Sequence, residues 1–232
     1  YEIMNMVHHI RAFDDETYRH SLNVAMINSV FAGWLGMTEY ERKQLILCGL
    51  MHDVGKLLIS KDILRKPGRL TEEEYEQIKK HPLLGYEKMK DKNIPESVKR
   101  VILLHHERAD GSGYPFGFHL KEIDPYAAIT AISDVYDAMT SNRVYRHGMN
   151  PFDVIEIFEK DGRKQFNPIF LVPILNNLTN TYLQHYVELS NGMKGKIVLI
   201  NKSELSRPMI AMDDNQFIDL LKQRDIKITQ VR

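Results

Sequence analysis

The chain has 232 residues, 43% of them hydrophobic and 27% charged, enough for one large domain or one domain with a small appendage. Lysine plus arginine and aspartate plus glutamate each total 31, a balance that argues against a binder of nucleic-acid polymers working through a bulk positive field. The single cysteine, Cys48, excludes an intrachain disulfide, and no apolar run approaches the length of a membrane span.

These numbers leave open a local basic pocket for a small anion. No signal peptide is visible, so a cytoplasmic protein without membrane contact by this segment is expected. The first residue is tyrosine, which fits a segment of a longer chain whose sensor or membrane part lies elsewhere.

In chain order, Val24, Ile27, Phe31 and Trp34 recur at helical spacing within 16–34, and Gly36 ends that run. A second helix fits 39–51, with Gly55 just beyond it. Thr71 and Glu74 form a capping-box pattern ahead of the next helix. Pro82 suits a first helical position, which would make His81 the cap of a helix over 82–91. Further helices fit 95–107, 125–141, 151–160 and 168–185. The pattern then changes: "YVELSNGMKGKIVLI", "RPMIAM" and "DIKITQV" read as short strands, with Asn191-Gly192 as a turn. The expected fold is mainly α, with residues 1–185 as a helical domain and 186–232 as a small β appendage.

Histidines and carboxylates recur along the helices: His20, His52 with Asp53, His81, His105 with His106, and Asp134. Neutral imidazole and carboxylate are ligands of iron, manganese and zinc. Seven such groups exceed one tetrahedral site and suit two ions bridged by a carboxylate. His20 lies on the apolar stripe of its helix, one turn before Val24, and so points inward. Asp53 follows an apolar helix and would be costly to bury unpaired. Asp134 shares a face with Ala127, Thr130, Ala131, Ala138 and Ser141, small side chains that leave space. Taken singly, His20 or His81 reads as an ordinary core or cap residue, and Asp134 as a buried hydrogen-bonded carboxylate. His8, His9, His119, His147 and His185 have no partner pattern.

"LMHDVGK" at 50–56 and "HHERADGSGYP" at 105–115, with "YRHS", "KHPLLG", "SDVYDAMTSNRVYR" and "QFNP" in order around them, resemble the HD-GYP subgroup of HD metal-dependent phosphohydrolases. The resemblance spans roughly 14–175. It implies an HD-type helical bundle and phosphodiesterase action on cyclic di-GMP, giving linear pGpG, with pGpG or GMP as the final product. It implies that His20, His52, Asp53, His81, His105, His106 and Asp134 hold the metals, with Asp53 bridging, and it favours iron or manganese. Lys56 would contact a phosphate oxygen, and Asp137, Arg143 and Arg146 stand where guanine or phosphate contacts are made. Ala109 stands where a tryptophan is frequent.

Gly111 and Gly113 would permit a tight turn after the paired histidines, and Gly113, Tyr114 and Pro115 would wall the site. Glu107 is expected either to orient an imidazole or to lie at the surface. Glu16, four residues before His20, would share its helix face and hold a third divalent ion, with an exposed first-turn glutamate as the alternative. The expected reaction is in-line attack of a metal-bridging hydroxide on phosphorus. Two other readings are carried with it: an HD phosphohydrolase of another nucleotide, and a cyclic di-GMP-responsive interaction module without turnover. A homodimer and an upstream sensory or diguanylate cyclase (GGDEF) partner are compatible with either.

Overall fold

The computed structural model describes residues 2–142, 147–214 and 216–232. Helices carry most of the chain: α1 (Glu2–Phe13), α2 (Asp15–Trp34), α3 (Glu39–Met51), a 3₁₀ turn (Val54–Leu58), α4 (Lys61–Leu64), α5 (Glu72–Ile78), α6 (His81–Met89), α7 (Glu96–Leu104) and α8 (Pro125–Thr140). There follow α9 (Pro151–Ile157), a π-helical turn (Phe158–Gly162), α10 (Arg163–Gln165) and α11 (Pro168–Thr181), then five strands. Two compact units result, one of residues 1–138 with 164–170, the other of 139–163 with 171–232.

Local signals set the helix ends in the first unit. Asp14 caps α2, accepting from the Thr17 backbone at 2.9 Å, and both Thr38–Glu41 and Thr71–Glu74 close reciprocal capping boxes. Cys48, Met51 and Val54 are packed in one core with Met89, Val98, Val101 and Ile102, so α3, the 3₁₀ turn, α6 and α7 share a centre. A Cβ on Gly55 would lie 1.9 Å from the His81 carbonyl, and one on Gly85 would lie 2.8 Å from Ile102 Cγ2. These two glycines let the turn that follows Asp53 press against the start of α6.

Several helix ends differ from expectation. His81 is the first residue of α6 and not its cap, because a proline in the first helical turn loses no intrahelical bond. The run at 95–107 stops at Leu104 with His105 as the C-cap, and the run at 168–185 stops at Thr181, ahead of Gln184 at φ 70°. The run at 151–160 becomes π-helical from Phe158.

In the second unit the strands β1 (Tyr186–Leu189), β2 (Lys194–Leu199), β3 (Met209–Met212), β4 (Phe217–Asp219) and β5 (Ile228–Val231) form an antiparallel sheet in the order β4-β3-β2-β1-β5. Val187, Leu189, Ile197, Ile210 and Ile218 are buried. Asn191-Gly192 does turn the chain, but only Gly192 takes a positive φ, 81°, so it is not the mirror-image turn that asparagine-glycine often makes. Glu159 of the π turn accepts from the backbone of Leu205 at 2.6 Å and Ser206 at 3.1 Å, tying that turn to the β2–β3 connection.

Candidate metal centre

The seven histidines and aspartates come from five places in the chain and converge. His20 projects from α2, His52 caps the end of α3, and Asp53 opens the 3₁₀ turn. His81 starts α6, His105 and His106 end α7, and Asp134 lies on α8. They fall into two groups, Asp53 with His81, His105 and His106, and His20 with His52 and Asp134. Within each group one donor atom per residue lies within 4.8 Å of the others.

Asp53 joins the groups. Its Oδ1 lies 3.3 Å from His81 Nε2 and 3.8 Å from His105 Nε2. Its Oδ2 lies 3.3 Å from His52 Nε2 and 3.8 Å from His20 Nε2, and accepts from Lys56 Nζ at 2.6 Å. Asp134 Oδ1 is 2.9 Å from His20 Nε2 and 3.9 Å from His52 Nε2.

Backbone carbonyls select the imidazole tautomers. Nδ1 of His52 faces Gly49 O at 2.8 Å, Nδ1 of His81 faces Ile78 O at 2.8 Å, and Nδ1 of His105 faces Val101 O at 3.0 Å. A carbonyl can only accept, so each Nδ1 carries a hydrogen, and in the neutral ring each Nε2 turns a lone pair inward. In that form His81 Nε2 and His105 Nε2, 3.2 Å apart, face each other with two lone pairs. His52 Nε2 and Asp53 Oδ1 are buried with no hydrogen-bond partner among the described residues. Buried polar atoms without partners are costly, and a cation between these donors would satisfy them. The donor set therefore fits divalent transition ions.

Electrostatics hold His105, His106, Asp53 and Asp134 in their binding forms and leave His20 favouring its protonated one. Burial, followed by the neighbouring His52 and His81, pushes His105 down to about 4, and burial with His105 beside it pushes His106 well below the ordinary histidine value. Burial works against ionising Asp53, but Lys56 and His52 outweigh it and hold the carboxyl well below the usual range. Asp134 is held low in the same way, against burial, by its bond to His20. Burial also opposes a charge on His20, yet the bonds to Asp134 and Asp137 raise it to about 9.

Asp137, expected at a substrate contact, is buried with both oxygens engaged on α2: His20 Nδ1 lies 2.6 Å from Oδ2 and Asn23 Nδ2 donates to Oδ1 at 3.0 Å. It fixes the His20 ring. The signal was the paired three-residue spacing, His20 with Asn23 and Asp134 with Asp137, which puts each pair on one helix face. Glu107 orients no imidazole. It is 2% exposed and accepts from the backbones of Phe116 at 2.8 Å and Phe118 at 2.9 Å, clamping the glycine-rich loop.

That loop lies beside the paired histidines. A Cβ on Gly113 would lie 2.4 Å from Arg108 N, so only glycine fits, and Tyr114 stacks on His106 with ring centroids 4.6 Å apart. Pro115 follows in the same wall. Glu16 is exposed and stands outside both donor groups. Arg143 and Arg146 lie outside the described residues.

The HD domain family matches residues 8–169, and the chain belongs to that family. It is 38% identical over 147 residues to the cyclic di-GMP phosphodiesterase PA4108 of Pseudomonas aeruginosa, covering 63% of this chain and 36% of that protein. It is 36% identical over 190 residues to the 3'3'-cGAMP-specific phosphodiesterase 1 of Vibrio cholerae, covering 81% of this chain and 42% of that protein. The chain thus spans less than half the length of each of these two relatives. Among solved structures, the HDG"Y"P protein Bd1817 of Bdellovibrio bacteriovorus shares the fold at a TM-score of 0.57 and 23% identity, covering 68% of this chain and 51% of that one.

Proposed function

We propose that this chain is a metal-dependent phosphodiesterase that hydrolyses cyclic di-GMP, with linear pGpG or GMP as its final product. The observation that carries the reading is the carboxylate of Asp53, whose two oxygens face two separate groups of inward-turned imidazoles. His20, His52 and Asp134 would hold one divalent ion and His81, His105 and His106 another, with Asp53 shared and iron or manganese favoured. Ions held there would neutralise phosphate charge and make water acidic enough to be a nucleophile at neutral pH.

The chain's own groups do the rest. The Lys56 ammonium, already 2.6 Å from Asp53, is placed to meet a phosphate oxygen beside the donor groups. Asp137 keeps His20 aimed, and Tyr114 and the glycine-rich loop clamped by Glu107 shield one side from bulk water. Arg143 and Arg146 are assigned to substrate binding on the sequence alone. Glu16 is assigned to a third ion on the same basis. Chemistry lies within residues 1–185 and residues 186–232 support them. The setting is cytoplasmic, with a homodimer and an upstream sensory or GGDEF partner compatible with it. Among the described residues no helix is long and apolar enough to cross a membrane.

Hydrolysis of 3'3'-cGAMP is a second reading, favoured by the Vibrio cholerae relative, which is named for that substrate. Anaerobic purification, metal analysis and chromatography of products from both cyclic dinucleotides test the assignment. Product from cyclic di-GMP supports it. Product from 3'3'-cGAMP alone reassigns the substrate. Binding of either without product by metal-loaded protein would make the chain an interaction module.

A further inference from the structure

Beside the donor groups lies a cation that the reading above does not use. Lys79 follows α5, two residues before His81. Its ammonium sits 5.5 Å from the centre of the Tyr75 ring and 5.8 Å from the centre of the Tyr114 ring. Tyr114 in turn stacks on His106. A chain of contacts therefore runs from Lys79 across one tyrosine ring to a member of the metal centre.

The lysine is enclosed on two sides but open on a third. Its side chain is 28% exposed, against 69% for Lys43 and 66% for Lys160, which also sit in helical ion pairs. Two aromatic faces hold the charge in place by attraction to their electron-rich surfaces. Its ionic partner is Glu76, at 2.5 Å, whose own side chain is 56% exposed. An exposed pair of this kind contributes little and yields readily to a doubly bonded anion. Tyr75 is 48% exposed, a flat apolar surface beside the cation. Cation next to exposed aromatic ring is the pairing that suits a nucleotide, phosphate on one and base on the other.

We propose that Lys79 is a substrate-binding residue that holds the second phosphate of a cyclic dinucleotide while the phosphate to be cleaved lies at the histidine–aspartate groups, with Tyr75 as a surface for a base. This rests on the reading of the site as a cyclic dinucleotide phosphodiesterase and adds a specificity device to it. A small diester with one phosphate needs the donor groups and Lys56 but has nothing to give Lys79. A cyclic dinucleotide needs both.

The test compares two substrates on manganese-loaded protein: cyclic di-GMP, and bis(p-nitrophenyl) phosphate, which carries a single phosphate. Lys79→Met should raise KM for cyclic di-GMP about tenfold or more, the loss of one charged contact, with kcat little changed. Kinetics on bis(p-nitrophenyl) phosphate, metal content and melting temperature should stay at wild-type values. Lys79→Arg should restore most of the KM. An unchanged KM for cyclic di-GMP, or an equal loss on both substrates, overturns the assignment of Lys79 while leaving the phosphodiesterase reading in place. If the wild-type protein cleaves bis(p-nitrophenyl) phosphate but neither cyclic di-GMP nor 3'3'-cGAMP, the functional reading fails and the second-phosphate role fails with it.

Discussion

Asp53 lies among the imidazoles of His20, His52, His81 and His105, with the Lys56 ammonium on one of its oxygens. Replacing one oxygen by an amide removes charge and acceptor at once while preserving shape. Asp53→Asn is expected to lose bound metal and phosphodiesterase activity with an unchanged helical circular dichroism spectrum. Full metal content with undiminished turnover would remove Asp53 from the centre. Asp137 makes a subtler case, because it touches the proposed centre through His20. Partners that orient a metal-binding histidine typically contribute 10- to 100-fold in affinity or activity, so Asp137→Asn should weaken metal binding by about 10-fold or more. Titration of purified apoprotein with manganese measures this. An affinity within twofold of wild type would mean that the His20 ring is held by its packing alone.

At the scale of elements, capping chemistry was the most legible signal. The Thr71 box and the run 39–51 were read from local residues, and the Thr38 box, built on the same spacing, was not, although in both a capping hydroxyl and a glutamate three positions on satisfy each other without tertiary help. What local pattern could not give was where burial overrides it. Gly55 of the 3₁₀ turn lies against the His81 carbonyl, a contact between residues 26 apart that no local pattern marks. β4 escaped notice because three residues, Phe217, Ile218 and Asp219, carry no readable alternation. Glu107 was visible as a polar residue beside the histidines, but its loop partners lie nine and eleven residues on, and no spacing rule marks them. Asp14 offers a test of the capping view. Its carboxylate accepts from Thr17 and from Arg65 Nε at 3.0 Å, and these bonds hold its pKa low against the burial that would raise it. Asp14→Ala should destabilise the protein by about 1 kcal/mol in urea unfolding near neutral pH. A carboxyl whose folded value is depressed contributes fully above its unfolded value, and the contribution is lost as pH falls through the folded one. The gap between wild type and variant should therefore narrow only in acid, below about pH 4. A gap independent of pH down to 2 would assign the effect to packing and not to the charged cap.

At the scale of the molecule, the candidate metal donors and the first unit's core are one structure. Cys48 is fully buried in that core, on the helix that ends at His52, and packs with Val54 of the turn that follows Asp53. Burial pushes its thiol far above the ordinary cysteine range, and the thiolate is the reactive species. Native protein should therefore react with a thiol reagent such as DTNB only through opening of the unit, making the single cysteine a reporter of its stability. If the seven donors bind cations only when the unit is folded, a divalent ion must slow that opening. At a free concentration 100 times its Kd, one ion stabilises by about 2.7 kcal/mol, which slows labelling roughly a hundredfold where opening is in rapid equilibrium. Labelling followed at rising manganese under anaerobic conditions measures the coupling. Asp53→Asn should label at one rate with or without the ion. Fast labelling of wild type in native buffer would take Cys48 out of the core. A wild-type rate indifferent to manganese would separate the donors from the fold that brings them together.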